Sequence, residues 1–211
     1  MARAKQVKAR KDYPQQGIKK GDLYWTADIK TGPRSGYTLR SKTQPKRWQL
    51  TTSSFNQAIW QIEDEGFDNI TCAEDLRAVA EQIREAGQEA QDSFDNMPEG
   101  LQQGETGQLL EQRASDCDEW ADAIDEAADE LENALDDIQK AAEAKVEWDA
   151  HWQAIEELEQ DESATDAQMD ALIAQEPDSE DPGEDWDEED TKSQALTEFL
   201  EQAKDANPGN F

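Results

Sequence analysis

Between Asp116 and Asp161 the chain carries 18 Asp and Glu in 46 residues. On a helix rising about 1.5 Å per residue, that is about one carboxylate per 3.8 Å of axis. Phosphates along one strand of B-DNA are spaced at roughly 3.4 Å. Such a ladder does its chemistry through charge, offering a cationic protein what a DNA backbone offers. Asp122, Asp125, Asp129, Glu132 and Asp136 are the candidate acidic binding surface. A plainer reading of the same residues is the solvated face of a coiled coil, where acids at the outer heptad positions cost nothing.

The opposite charge gathers near the N-terminus. Arg34, Arg40, Lys42, Lys46, Arg47 and Trp48 are candidate nucleic-acid contacts, interleaved with Tyr13, Tyr24, Trp25 and Tyr37. Cations that track phosphates beside aromatics on which bases stack are the usual chemistry of nucleic-acid binding. Equally, the aromatics can form a small core that the lysines keep soluble. No recognition motif of a known module is complete.

Other chemistry is sparse. His151 is the only histidine and has no Cys or His partner in zinc-ligand spacing, so it reads as a surface residue. Asp178, Glu180, Gly183 and Glu189 echo a calcium loop, but Pro182 stands where the third liganding side chain belongs. No nucleophile elbow, Walker loop or dinucleotide fingerprint occurs. The expectation is a protein without catalytic residues, bound metal or cofactor.

What must position these residues follows from composition and periodicity. The 211 residues are 35% hydrophobic and 34% charged, poor material for a large globular core. The net charge of −31 splits sharply: residues 1–50 hold 13 Lys and Arg against 3 Asp, and the other 161 hold 7 basic and 48 acidic side chains. No apolar run is long enough to span a membrane. The opening MARAKQVKARKDYP lacks the apolar stretch of a secretory signal. The expected location is cytoplasmic, in a host cell if the gene is a phage's.

Residues 1–52 read as a basic β-hairpin module. Pro14 and Gly17 break any early helix, Leu23, Trp25, Ala27 and Ile29 alternate on one face, TGPRSG supplies a turn, and Tyr37 and Leu39 return. Next, Thr52, Ser53 or Ser54 caps a helix carrying Phe55, Ile59, Trp60 and Ile62. Residues 53–160 read as an antiparallel helical hairpin. Its first helix opens on a Thr71–Glu74 capping box and repeats Leu76, Ile83, Ala90 and Met97 every seven residues, with Ala73, Ala80, Gly87 and Phe94 between. Pro98, Gly100 and Gly104 turn the chain. The second helix repeats Leu110, Cys117, Ile124, Leu131 and Ile138, with Ala114, Ala121, Ala128, Leu135 and Ala142 between. Unbroken to Gln160, it is a rod about 80 Å long, with Trp148, Trp152, Ile155 and Leu158 on a late stripe. In this register Cys117 lies level with Gly87 and Cys72 with Glu132, too far apart for a disulfide. Residues 161–211 read as an acidic linker with short helices: a capped TDAQMDALIAQ, a disordered stretch over 176–190, and a final helix opening on Thr191–Gln194 that docks elsewhere or folds back. The fold class expected is therefore mainly α, with a small β-hairpin.

KARKDYPQQGIKKGDLYW with SKTQPKRWQLTTSSF, and then NMPEGLQQGETGQLLEQRASDCDEWADAIDE, resemble a set of uncharacterised proteins of tailed phages and bacterial mobile elements. The matching residues run from Lys8 to about Glu126, and the acidic extension beyond is unlike them. The resemblance implies a phage-type context. Taken with the charges, three roles are expected. One is binding and inhibiting or regulating a cationic, DNA-handling host protein, with DNA mimicry in counter-defence. Another is nucleic-acid binding by the basic hairpin under an autoinhibitory acidic tail, a tail ending in Phe211. The third is a structural part of a virion or its assembly, with the helices as a route to homo-oligomers. None of the three involves a membrane.

Overall fold

The computed structural model describes residues 1–30, 35–161 and 165–209. It is mainly helical with a small antiparallel sheet at the N-terminus, in the order β1 (Lys5–Lys8), β2 (Leu23–Asp28), β3 (Thr38–Ser41). The hairpin of β2 and β3 is the expected one, with Ala27 opposite Leu39 and Trp25 opposite Ser41. Part of its turn, residues 31–34, lies outside the described residues.

Two features differ from expectation. First, the basic segment contributes a third strand, β1, with Val7 opposite Tyr24 and Lys8 opposite Leu23. Its lysines hide a short alternation in which only Val7 and the following Ala9 turn inward. Second, Leu23 is 61% exposed, while Tyr24 is buried with Ala9 and Ile18. The 3₁₀ turn at Pro14–Gln16, closed by Gly17 at φ 63°, folds Ile18 back so that Tyr13 and Ile18 bridge. This gives the sheet a small core of its own on the Tyr24 side.

A short connection, α1 (Arg47–Leu50), leads into α2 (Ser54–Gln61). Of the three possible caps Ser53 is used, its hydroxyl accepting from the Asn56 N–H at 3.3 Å. Phe55, Ile59 and Ile62 are buried and a π turn, Ile62–Gly66, ends the helix. α3 (Ala73–Asp95) starts at Cys72 and not in a Thr71–Glu74 box: Asp75 takes the Thr71 N–H and hydroxyl at 2.8 and 2.9 Å. The short α4 (Glu99–Gln102) turns the chain into α5 (Glu105–Glu159), a single 55-residue helix.

α3 and the first half of α5 pack antiparallel, burying Leu76, Ile83, Cys117, Ile124 and Leu131 completely. Leu110, Leu135 and Phe94 are only partly buried, at the ends of the seam. At Gly87 the two helices approach closely: a Cβ there would lie 2.8 Å from the Cys117 Cβ. Both cysteines are free thiols.

The remaining helices are α6 (Asp166–Ile173) and α7 (Glu188–Asp205). α7 starts earlier than Thr191, capped by Asp187, whose carboxylate accepts from the Asp190 N–H at 2.8 Å. It folds back on the hairpin. Ala203 is fully buried, Leu196, Phe199 and Leu200 pack on the same core, and Trp120 Nε1 donates to the Ala203 carbonyl at 2.9 Å. That carbonyl belongs to the last turn of α7, where no helical donor remains for it. The acidic stretch before α7, expected to be disordered, is irregular but strapped to α5. Trp148 Nε1 donates to the Ser179 carbonyl at 2.8 Å, and the Ser179 hydroxyl donates to Glu147 at 3.1 Å. His151 is likewise not a surface residue: it is 9% exposed, edge-on to Trp148 and Trp152. No described helix is long and apolar enough to cross a membrane.

Candidate binding surfaces

Four of the five expected acids are joined to α3. Arg84 donates to Asp122 at 2.8 Å and Asp125 at 2.6 Å, and Arg77 donates to Asp129 at 2.7 Å and Glu132 at 2.5 Å. The two arginines are seven residues apart, as are the two acid pairs, so each heptad of the seam carries one clamp. Hydrogen bonds to these carboxylates hold both guanidinium pKa values above the ordinary arginine range. The next residue in this series on α3 is Ile70, before the helix begins, and Asp136 has no cationic partner. Four acids of the first half of the ladder are thus crosslinks between helices. Carboxylates without an ion pair stand between them, at Asp118, Glu119 and Glu126, and past them, at Asp136, Glu143, Glu147, Glu156 and Glu157, all exposed. Beside them the strap adds exposed Glu176, Asp178, Glu180, Asp181, Glu184 and Asp185, with Lys145 reaching the Glu184 carbonyl at 3.4 Å.

All seven cations of the helical part are engaged. Besides the two clamps, Lys140, Lys145 and Lys192 pair with acids on their own helices. Arg113 lies 4.6 Å from the centre of the Phe55 ring and donates to Asn56 at 3.1 Å, and burial lowers its pKa. Lys204 lies over Phe67.

The five described residues among the six expected nucleic-acid contacts do not share one free surface. Arg47 is bound to Glu63 and Asp64 of the π turn and lies over Trp60, and Lys46 pairs with Glu65 at 2.9 Å. Trp48 is half-buried, with its indole N–H enclosed and unpartnered. Arg34 lies outside the described residues. Arg40 stacks 4.8 Å from the centre of the Tyr13 ring, and Lys42 is exposed.

Selecting residues by nearness to the hairpin missed the cations before it. Arg3, Lys5, Lys8, Arg10, Lys11, Lys19, Lys20, Lys30, Arg40 and Lys42 form no ion pair among the described residues. Asp12 and Asp22 are turned to backbone N–H groups of Lys20 and Lys19, and Asp28 accepts from the Thr38 hydroxyl. Pairing of β1 with β2 brings these cations to one module, a signal carried in the Lys5–Val7–Ala9 alternation.

The module leads into the helical body at the π turn, where Lys46 and Arg47 pair with Glu65, Glu63 and Asp64. The segment they hold packs on α5: Asn56 contacts Arg113, and Phe67 lies 6.3 Å from Trp120, centre to centre. The strap is fixed at Lys145 and Trp148. From Trp120 to Lys145 is about 38 Å along α5.

Among the described residues no group of His, Cys, Asp and Glu is arranged to hold a metal ion. The echo of a calcium loop is part of the strap: the Asp181 carboxylate accepts from the Gly183 N–H at 2.9 Å. No family model, no curated protein and no solved structure matches this chain.

Proposed function

We propose that this chain is a non-enzymatic interaction protein of phage type, whose acidic helical surface binds and inhibits or regulates a cationic, DNA-handling host protein. The observation that carries the reading is the distribution of unpaired charge. Every cation of the helical part is engaged, and exposed carboxylates without an ion pair run along the whole of α5, from Asp118, Glu119 and Glu126 to Asp136, Glu156 and Glu157, with the acids of the strap beside its second half. Dense negative charge on a helix steers cationic partners and competes with DNA for them. Of the acids first expected to form the surface, Asp136 is the one not held by Arg77 or Arg84, and in this reading it works with the acids of α5 that form no ion pair.

The test is capture of DNA-associated cationic proteins from nuclease-treated host lysate, with duplex DNA as competitor. Neutralising Asp136, Glu143, Glu156 and Glu157 together is expected to abolish capture. Undiminished capture by that variant, or indifference to duplex DNA, would reduce the ladder to a solvated helix face.

A second reading, nucleic-acid binding by the basic sheet, is favoured by its ten unpaired cations. The autoinhibitory tail stays part of this reading through α7, whose end lies beside the module: Lys204 lies over Phe67, and Asn207 donates to Glu63, the partner of Arg47, at 2.8 Å.

A further inference from the structure

We propose that the outer strand of the sheet, β1, and the two grooves that flank it bind single-stranded nucleic acid, in preference to duplex. The inference rests on the second reading above and says which form of nucleic acid the module takes and where.

β1 pairs only with β2, so its other edge is open. A groove of about 490 Å³ lies at its N-terminal end, lined by Arg3, Lys5, Lys30, Thr26 and Asp28. A second groove, of about 660 Å³, lies at its C-terminal end between Val7, Lys8, Ala9, Arg10, Tyr13 and Tyr24. The second groove is lined by no carboxylate; the first has one, Asp28, which accepts from the Thr38 hydroxyl at 2.9 Å, against three cations. Arg3 and Lys5 at the first groove and Lys8 and Arg10 at the second are exposed and form no ion pair among the described residues, so each groove offers two cations to a phosphate backbone.

The second groove adds what a duplex cannot use. Tyr13 stands on the buried Tyr24 with ring centres 5.6 Å apart and planes tilted by 51°, and Arg40 and Lys11 lie over its ring. A base turned out from a single strand can stack on the half-exposed Tyr13 ring or on the Arg40 guanidinium beside it. Paired bases show their faces only to each other, so a duplex would meet the cations alone. The acidic body works in the same direction: its charge repels a long, stiff polyanion more than a short flexible one that bends onto the sheet.

The experiment uses the full chain and fluorescence anisotropy with a labelled 20-mer of deoxythymidine and a 20-base-pair duplex, each over a salt series. The single strand is expected to bind at least tenfold more tightly at equal salt. Replacing Lys5, Lys8 and Arg10 together by Ala should lower the slope of log K against log salt by about two, at roughly 0.7 per phosphate contact. Tyr13→Leu should weaken the single strand at least about fivefold with the slope unchanged, and Tyr13→Phe should restore it. Neutralising Lys46 and Arg47, which are committed to Glu63–Glu65, should change neither quantity. Equal binding of the two forms, or indifference to Tyr13→Leu, would overturn the inference while leaving the basic sheet as a general polyanion site. Binding of neither form would overturn the inference and the second reading together.

Discussion

The sheet and the helical body differ less in how much charge they carry than in what the charge touches. In the body, Arg77 and Arg84 each span two carboxylates of α5, and their spacing repeats with the heptad. There, the cations belong to the assembly of the fold, and it is the surplus acids that stay on the surface. In the sheet, ten cations stand without an ionic partner among the described residues, and the core is a handful of residues around Tyr24. There, charge is left for something outside the chain. A long coiled-coil face and a binding surface look alike in a count of acids, and only the partners of each side chain tell them apart.

The largest effect should come from the core of the body. Ile124 is fully buried between α3 and α5, and Ile124→Ala is expected to cost about 2–5 kcal/mol in denaturant unfolding. Below the unfolding transition the sheet's binding properties should be untouched. Unfolding at the wild-type denaturant concentration would mean that the seam does not hold the body together.

A smaller effect tests whether α7 belongs to the body. Trp120→Phe keeps the ring but removes the donor to the Ala203 carbonyl. Leaving that buried acceptor unmet should cost about 1–3 kcal/mol, and backbone amides of α7 should exchange faster. Unchanged exchange in α7 would make the back-docking incidental.

The clamps should matter less still, because they are half in water and long side chains must be held still to form them. Replacing Arg77 and Arg84 together by Gln is expected to lower the melting temperature slightly at low salt, and not at all near 1 M salt, where the Debye length is about 3 Å. Replacing Lys8 and Lys20 by Gln should leave the melting temperature where it was. A comparable loss from both pairs would erase the distinction between engaged and free charge.

At neutral pH the smallest effect is that of Cys117. Burial pushes its thiol from an ordinary 9.0 up to about 12. The folded state therefore holds the proton more tightly than the unfolded chain does. This contribution is fully present below pH 9 and is lost as pH rises from about 9 towards about 12. Near pH 8, a thiol reagent should modify the half-buried Cys72 in the native protein and reach Cys117 only on unfolding. Equal rates at the two thiols would contradict the packing of Gly87 against Cys117.

Much of this architecture was legible because it is periodic. Five heptads from Leu110 to Ile138, small residues facing them, and a Pro and Gly turn leave few alternatives to an antiparallel hairpin. The β2–β3 hairpin was legible for the same reason. β1 was not, since four residues rich in lysine carry almost no apolar alternation and become a strand only by pairing with β2. The start of α3 was misplaced by one residue because Thr71 finds Asp75, and a sequence offers several acids to the same hydroxyl. His151 read as exposed because nothing near it in sequence shows how closely Trp148 and Trp152 pack around it.

The sequence by itself determined the helical hairpin, the level at which Cys117 meets Gly87 and the separation of charge between the two ends, because these follow from spacing along one chain. Only the tertiary structure decided which charges are spent. Arg77 and Arg84 reach Asp129 and Asp122 across more than 35 residues of chain, Lys46 and Arg47 turn to Glu65 and Glu63, and Trp148 ties down a stretch that composition marks as disordered. An ion pair depends on distance in space, and composition records only how many partners exist.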